Sequence, residues 1–287
     1  MEFDNGASKN YVTDATDETV RAEVQKSKIL TTSHFAKTIP QFDPTTLPKN
    51  AFIYVVAPRR SGKTTLVEDM IDKVRRKHKV DLCLLYSKSN AGFPNIPQKY
   101  RFRDMTSIQS LIDTQIKVKQ ANRKRQRKIK SNVIVILDDQ IDGSSTEMRK
   151  SDLIIKLASM GRHISDGEHS NIQFWCLSQQ ITAVPPVVRR NFDYVISFKV
   201  PSRLQRRMIV EEWLTLKSGR AGMKEAYDLF DIVNDKDFNA IVIHATHSNK
   251  YNYSDYVSQY KATPLKKTRE PWSGTARDME VPFSIYF

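Results

Sequence analysis

The stretch AFIYVVAPRRSGKTT, residues 51–65, decides the fold. Its run Phe52-Ile53-Tyr54-Val55-Val56 is β-branched and aromatic and reads as a buried strand, and from Thr65 the spacing turns helical in TLVEDMI. A strand, a tight loop and a helix in that order give Gly62-Lys63-Thr64 its meaning as a phosphate loop, formed by Ala57, Pro58, Arg59, Arg60, Ser61, Gly62, Lys63, Thr64 and Thr65. Successive backbone N–H groups then face a concavity, and the helix N-terminus adds partial positive charge. Lys63 reaches the β- and γ-phosphates, and Thr64 offers a hydroxyl to Mg²⁺. A GKT triplet also occurs by chance in proteins that bind no nucleotide; the flanking strand and helix are what weigh against that. Ala57 stands where the usual pattern has Gly, which requires a φ below zero or tolerated strain there.

A second anchor is SNVIVILDDQ, residues 131–140. Five consecutive apolar residues, Val133 to Leu137, predict a strand buried on both faces, with two carboxylates at its C-terminal end, where open α/β sheets bind ligands. Asp138 is placed to hold Mg²⁺ and Asp139 to orient or deprotonate an attacking water. A lone Asp after a strand would read equally as a helix N-cap. The strand VDLCLLYS, 80–87, intervenes between loop and acids, an order that looks like the additional-strand, catalytic-acid division of phosphate-loop NTPases and favours hydrolysis over transfer to a small acceptor. The strand NIQFWCL, 171–177, ends in Ser178-Gln179-Gln180, and Gln179, with a donor and an acceptor, can bond both a γ-phosphate and a water. The alternative is a polar strand end facing solvent.

At 287 residues and 39% hydrophobic content the chain can hold one large α/β domain or two small ones. No run approaches the roughly 20 apolar residues of a membrane span, and the start MEFDNGASKN lacks a hydrophobic signal, so an intracellular protein is expected. Cys83 and Cys176 sit in strand-like runs and read as small apolar residues in a reducing compartment, without zinc-ligand spacing. The 46 Lys and Arg against 32 Asp and Glu give +14, which favours a polyanionic partner, nucleic acid first. Within a helix expected over 106–130, the segment KVKQANRKRQRKIK carries eight basic residues and no acid. Arg123, Lys124, Arg125 and Arg127 are therefore candidate phosphate contacts, with a solvated basic face as the equal alternative.

Residues 1–48 are polar, then Pro-punctuated, and read as an arm, with a weakly supported helix over 17–30; 49–250 form the main domain. A helix over 147–162 ends in Met160-Gly161-Arg162-His163. RLQRRMIVEEWLTL follows as an amphipathic helix and Phe238 to His244 as a last strand. The tail, 251–287, mixes Tyr, Trp and basic residues without helical period, and reads either as a docking segment or as a strap on its own domain.

The succession APRRSGKTT, VIVILDDQ, GRHIS, QFWCLSQQ and VPPVVRRNFDYVISFKV, with LPKN just ahead, resembles the genome-packaging ATPases of poxviruses, other nucleocytoplasmic large DNA viruses and virophages, within the FtsK/HerA superfamily. The resemblance covers roughly residues 40–260. It implies a three-layer α/β, RecA-like P-loop NTPase with a mostly parallel central sheet, ATP and Mg²⁺ as cofactors, a homo-oligomeric ring, and double-stranded DNA moved into a preformed capsid. Implied partners are the capsid or a portal-like vertex, and the implied location is a cytoplasmic or nuclear virus assembly site, with virion association left open. By position, Lys63 and Thr64 match the phosphate and Mg²⁺ ligands, Asp138 and Asp139 the acidic pair, Gln179 the sensor, and Arg162 the arginine offered to a neighbouring subunit's nucleotide, with Arg189 and Arg190 as competitors. Asp139 departs from the Glu of FtsK-type motors. A helicase or repair ATPase would share the core but separate strands, and a scaffold with a degenerate site would bind ATP without DNA-stimulated turnover.

Overall fold

Strand β1 (Phe52–Val56) is buried at all five positions, since a strand hydrogen-bonds along each of its edges and a layer covers each face. The computed structural model describes residues 39–89, 92–124, 128–139, 152–216, 219–248, 250–265 and 272. The expectations for residues 1–38, for Arg125 and Arg127, for the start of the 147–162 helix and for most of the tail beyond 265 lie outside the described residues. After β1 come α1 (Lys63–Lys77), β2 (Leu82–Ser87), β3 (Arg101–Phe102), α2 (Ile108–Lys124), β4 (Ser131–Asp138), α3 (Asp152–Ile164) and β5 (Ser170–Ser178). A helical turn, Pro186–Arg189, leads to β6 (Tyr194–Ser197), α4 (Arg203–Ile209), a π-helical turn Val210–Leu214, α5 (Gly219–Val233), β7 (Asn239–His244) and β8 (Val257–Lys261).

The eight strands form one sheet in the order β3-β2-β4-β5-β1-β6-β7-β8, parallel from β3 to β6, with β7 and β8 antiparallel. The connection from β1 to β2 runs one way across the sheet, and those from β2 to β4 and β4 to β5 run the other. Right-handed crossovers therefore put α1 on one face and α2 with α3 on the other, giving the three α/β/α layers expected. The chain diverges at adjacent β5 and β1, the kind of switch point at which open sheets bind ligands. The strand standing between the loop-bearing β1 and the acid-bearing β4 is β5; the 80–87 strand lies on the outer side of β4, which sequence order alone does not tell.

Two expectations are corrected, and one helix is added to them. The segment from 251 is not an irregular tail throughout: Val257–Lys261 closes the sheet beside β7, and Trp272 is buried, with its backbone N–H donating to the Asn95 carbonyl at 2.9 Å. Of its described aromatics, Tyr253, Tyr256, Tyr260 and Trp272 are buried while Tyr251 is exposed, and Tyr260 donates its hydroxyl to Asp69 of α1. The last strand begins at Asn239, because Phe238 takes a left-handed φ of +60° that cannot continue a ladder. Helix α5 is absent from the sequence expectations; Gly219 and Gly222 in its first turn mask a helical stripe of buried Ala226, Leu229, Phe230 and Val233. Among the described residues no helix is long and apolar enough to cross a membrane.

Candidate active site

The loop after β1 is shaped by two left-handed residues, Arg60 at φ +63° and Gly62 at +91°; Ala57 is not one of them. Ala57 continues the ladder instead, donating its N–H to the Ser178 carbonyl at 3.0 Å, so a methyl group there costs nothing. Ser61 closes the turn with its hydroxyl on the Pro58 carbonyl, 2.8 Å. Gly62 then caps α1, whose first-turn N–H groups face the concavity.

Lys63, the first residue of α1, is 9% exposed and reaches across to the end of β4. Its Nζ donates to Asp139 Oδ1 at 2.7 Å and stands 3.4 Å from Asp138 Oδ1. Asp139 Oδ2 accepts from Gln179 Nε2 at 2.8 Å, and Gln179 Oε1 accepts from Arg59 Nε at 3.1 Å. The carboxylate on one side and the guanidinium on the other leave the amide one orientation that satisfies both. Gln179 is held from below as well, because the Tyr54 hydroxyl of β1 meets Ser178 Oγ at 2.8 Å and the carbonyls of Gln180 and Ile181. A cavity of about 680 Å³ is lined by Pro58, Arg59, Arg60, Gly62, Lys63, Thr64, Thr65, Asp138, Asp139 and Gln179 together. Of the remaining loop residues, Ala57 and Ser61 shape the cavity without lining it.

Asp139 has φ +47°. Left-handed backbone is several-fold more accessible to Asp and Asn than to most residues, which gives a physical reason for the shorter acid at this position. Asp138 is 7% exposed and its Oδ1 is buried with no hydrogen-bond donor. Burial pushes its carboxyl above the ordinary value against the attraction of Lys63, and Asp139 adds repulsion. A buried carboxylate oxygen without a hydrogen bond, in a cavity that Thr64 also lines, fits a hard cation such as Mg²⁺, which takes oxygen ligands. Cys83 and Cys176 are buried free thiols, and burial pushes the Cys176 thiol up to about 12.

Three lining residues carry no sequence signal strong enough to single them out: Ser89, Gly92 and Phe238. The loop after β2 folds back over the phosphate loop, and Gly92 (φ +81°) lies where a Cβ would come within 3.0 Å of Thr64 Cγ2. Its Gly, in a segment that reads as a loop, is the one hint of this.

Among the arginines, Arg189 is buried and held: its Nε meets both Glu212 oxygens at 3.1 and 3.2 Å, and its Nη1 donates to the Val184 carbonyl at 2.8 Å. So held, it is not free to serve a neighbouring subunit, whereas Arg190 beside it is exposed. Arg189→Ala is expected to cost about 3 kcal/mol, since it strands Glu212 and the carbonyls it serves, while Arg190→Ala should stay within about 0.5 kcal/mol; urea unfolding of the two variants reads the contrast. Arg162 lies within α3, and its side chain is outside the described residues.

The described part of the basic segment is divided. Lys119 donates to the His163 and Ser165 carbonyls and Lys128 to the Asn122 carbonyl, so these serve the fold. Arg123 and Lys124 are exposed at the end of α2, beside the start of β4, where Asn122 bonds Ile129. They therefore stand at the opposite end of the strands from Asp138, the eight residues of β4 away, about 25 Å.

No protein-family model matches the sequence, and no curated protein is similar to it. Solved structures are similar in fold. The genome-packaging NTPase B204 from Sulfolobus turreted icosahedral virus 2, in complex with ATP-gammaS, superposes with a TM-score of 0.50 at 13% identity, over 77% of this chain and 100% of that one. Its complex with sulfate matches at 0.50 and 14% identity, again over 77% and 100%. The cytoplasmic domain of the Thermomonospora curvata type VII secretion ATPase EccC matches at 0.50 and 12% identity, over 78% of this chain and 26% of that one.

Proposed function

We propose that this protein is an ATP-hydrolysing motor that moves double-stranded viral DNA into a capsid. The observation that carries the reading is the convergence of Lys63 at the start of α1, Asp138 and Asp139 at the end of β4, and Gln179 just after β5, far apart in sequence, on one cavity at a phosphate loop. A binding scaffold would have no use for the acid and amide held beside the lysine. The likeness in fold to a genome-packaging NTPase supports the packaging role, and the +14 charge supports a DNA partner.

In this reading the α1 N-terminus and the Lys63 ammonium hold the β- and γ-phosphates. Lys63 then exchanges its Asp139 partner for phosphate oxygens and frees that carboxylate to take a proton from water, while Gln179 orients the same water. Thr64 and Asp138 would hold Mg²⁺, which neutralises charge on the transferring phosphoryl group. The partners we assign are a homo-oligomeric ring of this chain and a capsid or portal-like vertex. The decisive experiment is the ATPase rate with and without double-stranded DNA: stimulation supports a translocase, and an unchanged rate removes DNA from the cycle. Strand displacement on a forked duplex would point to a helicase instead.

Arg123, Lys124, Arg125 and Arg127 are proposed to track DNA phosphates. Neutralising all four should reduce the slope of log affinity against log salt by about 0.9 for each lost contact, without creating sequence preference. A slope unchanged in a filter-binding titration would make this a solvated basic face.

A further inference from the structure

Beside the phosphate cavity lies a second, of about 350 Å³, walled by Leu66, Phe198, Phe238, Lys261, Ala262 and Pro264. The two cavities share Gly62, Thr65 and Phe238, so they adjoin at the first turn of α1. The acids and Gln179 fix the end of the first cavity at which a γ-phosphate reacts. The opposite end of a triphosphate, its α-phosphate, then follows the backbone past Thr64 toward Thr65, where the second cavity begins. Its volume lies at the small end of the roughly 300–1,000 Å³ typical of small-molecule sites.

Phe238 stands out among the described residues. It is an aromatic ring 58% exposed, on a backbone at φ +60°, which a bulky side chain adopts only when its surroundings impose it. Its Cδ1 sits 3.1 Å from where a Cβ on Gly62 would stand, so the ring overhangs the phosphate loop itself. The facing wall, Lys261 to Pro264, is fixed: the Thr263 N–H donates to Asp69 Oδ2 at 3.0 Å, and Tyr260 bonds the same carboxylate. Among the described side chains around this cavity, the Thr65 hydroxyl and the Lys261 ammonium are the groups that can hydrogen-bond; the others are apolar.

We propose that this second cavity seats the nucleoside of the triphosphate, with the base stacked on Phe238, and that it recognises the face of the base rather than its edge. The inference rests on the nucleotide reading above. Its consequence is a motor that spends purine triphosphates with little discrimination, since every base has a π-face and the described walls offer no array of side-chain donors and acceptors to read the purine edge. The ring at 238 is thus an affinity determinant that acts at the nucleoside end, remote from the reacting phosphate.

The test uses the full chain with Mg²⁺ and compares ATP, GTP and inorganic tripolyphosphate, which has no base, as ligands of the wild type, Phe238→Ala and Phe238→Trp. Phe238 is mostly exposed, so its truncation leaves no buried void. We expect Phe238→Ala to weaken ATP and GTP at least about tenfold each, the size of one base–aromatic stack. Tripolyphosphate should bind unchanged, and Trp should restore both nucleotides. Equal losses for ATP and tripolyphosphate would overturn the proposal, because the ring would then act only by shaping the loop at Gly62. So would an unchanged ATP affinity, or a wild-type preference between ATP and GTP above about fiftyfold. Failure of the wild type to bind either ATP or tripolyphosphate would instead remove the nucleotide reading itself.

Discussion

Lys63→Ala is expected to lower ATP turnover by at least about 10³-fold, more than the loss of a single transition-state hydrogen-bond donor, because two functions go with one side chain. The ammonium is the cation of the phosphate loop, and it is also the partner of Asp139 at 2.7 Å and the nearest cation to buried Asp138. Removing it leaves two adjacent carboxylates facing each other's charge, so ATP affinity should fall as well as rate. Asp139→Asn separates the two functions. Asn tolerates the left-handed backbone at 139 as well as Asp does, so the loop keeps its shape, and ATP should bind normally while hydrolysis falls by about 10²–10⁴-fold. Equilibrium binding of a fluorescent ATP analogue and a phosphate-release assay read the two quantities separately. Hydrolysis at the wild-type rate in Asp139→Asn would take that residue out of the chemistry.

The part of this arrangement legible in the sequence is the part carried by local pattern. A buried parallel strand announces itself as an uninterrupted apolar run, so β1, β4 and β5 and the residues at their ends can be placed from the sequence alone. What the pattern does not supply is order across the sheet. Asp139 and Gln179 bond each other because β4 and β5 are neighbours in register, Asp138 opposite Leu177, and neither residue encodes that pairing by itself. Arg59 reads as a loop residue of no distinct role, yet it supplies the second bond of the Gln179 amide. Phe238 is hidden for a different reason: an aromatic ahead of an apolar run has the composition of a strand, and the left-handed φ that excludes it from β7 belongs to the turn that the Asn239 N–H closes on the Lys236 carbonyl at 3.1 Å, which composition does not mark. The tail misleads similarly, because Val257–Lys261 is a short edge strand whose alternation is diluted by Tyr and Lys, stabilised by pairing with β7 more than by its own propensity.

The largest effect outside the phosphate loop is expected at Arg162. In the proposed ring, the charge that develops on the γ-phosphoryl oxygens calls for a cation that is fixed and cannot lose its proton, which the guanidinium provides. Helix α3 runs from the acid-bearing end of the sheet back to the start of β5, so a residue in its last turn is carried away from its own subunit's nucleotide cavity. A helix of that length carries it about 15 Å. That placement argues against service within the subunit and fits service to a neighbour. Arg189 is committed to Glu212, which leaves exposed Arg190 as the remaining competitor. Arg162→Ala should therefore bind ATP normally yet hydrolyse it about 10³–10⁵-fold more slowly. Mixing decides between the arginines. A subunit carrying Arg162→Ala has an intact Lys63, and a neighbour carrying Lys63→Ala has an intact Arg162, so rings mixed from two inactive proteins should regain activity at the junctions where the intact residues meet. The same mixture made with Arg190→Ala should show no such rescue, since that protein alone is expected to be active. Mixed rings, verified by differential tagging, that stay inactive would mean that the finger acts within its own subunit or is not Arg162.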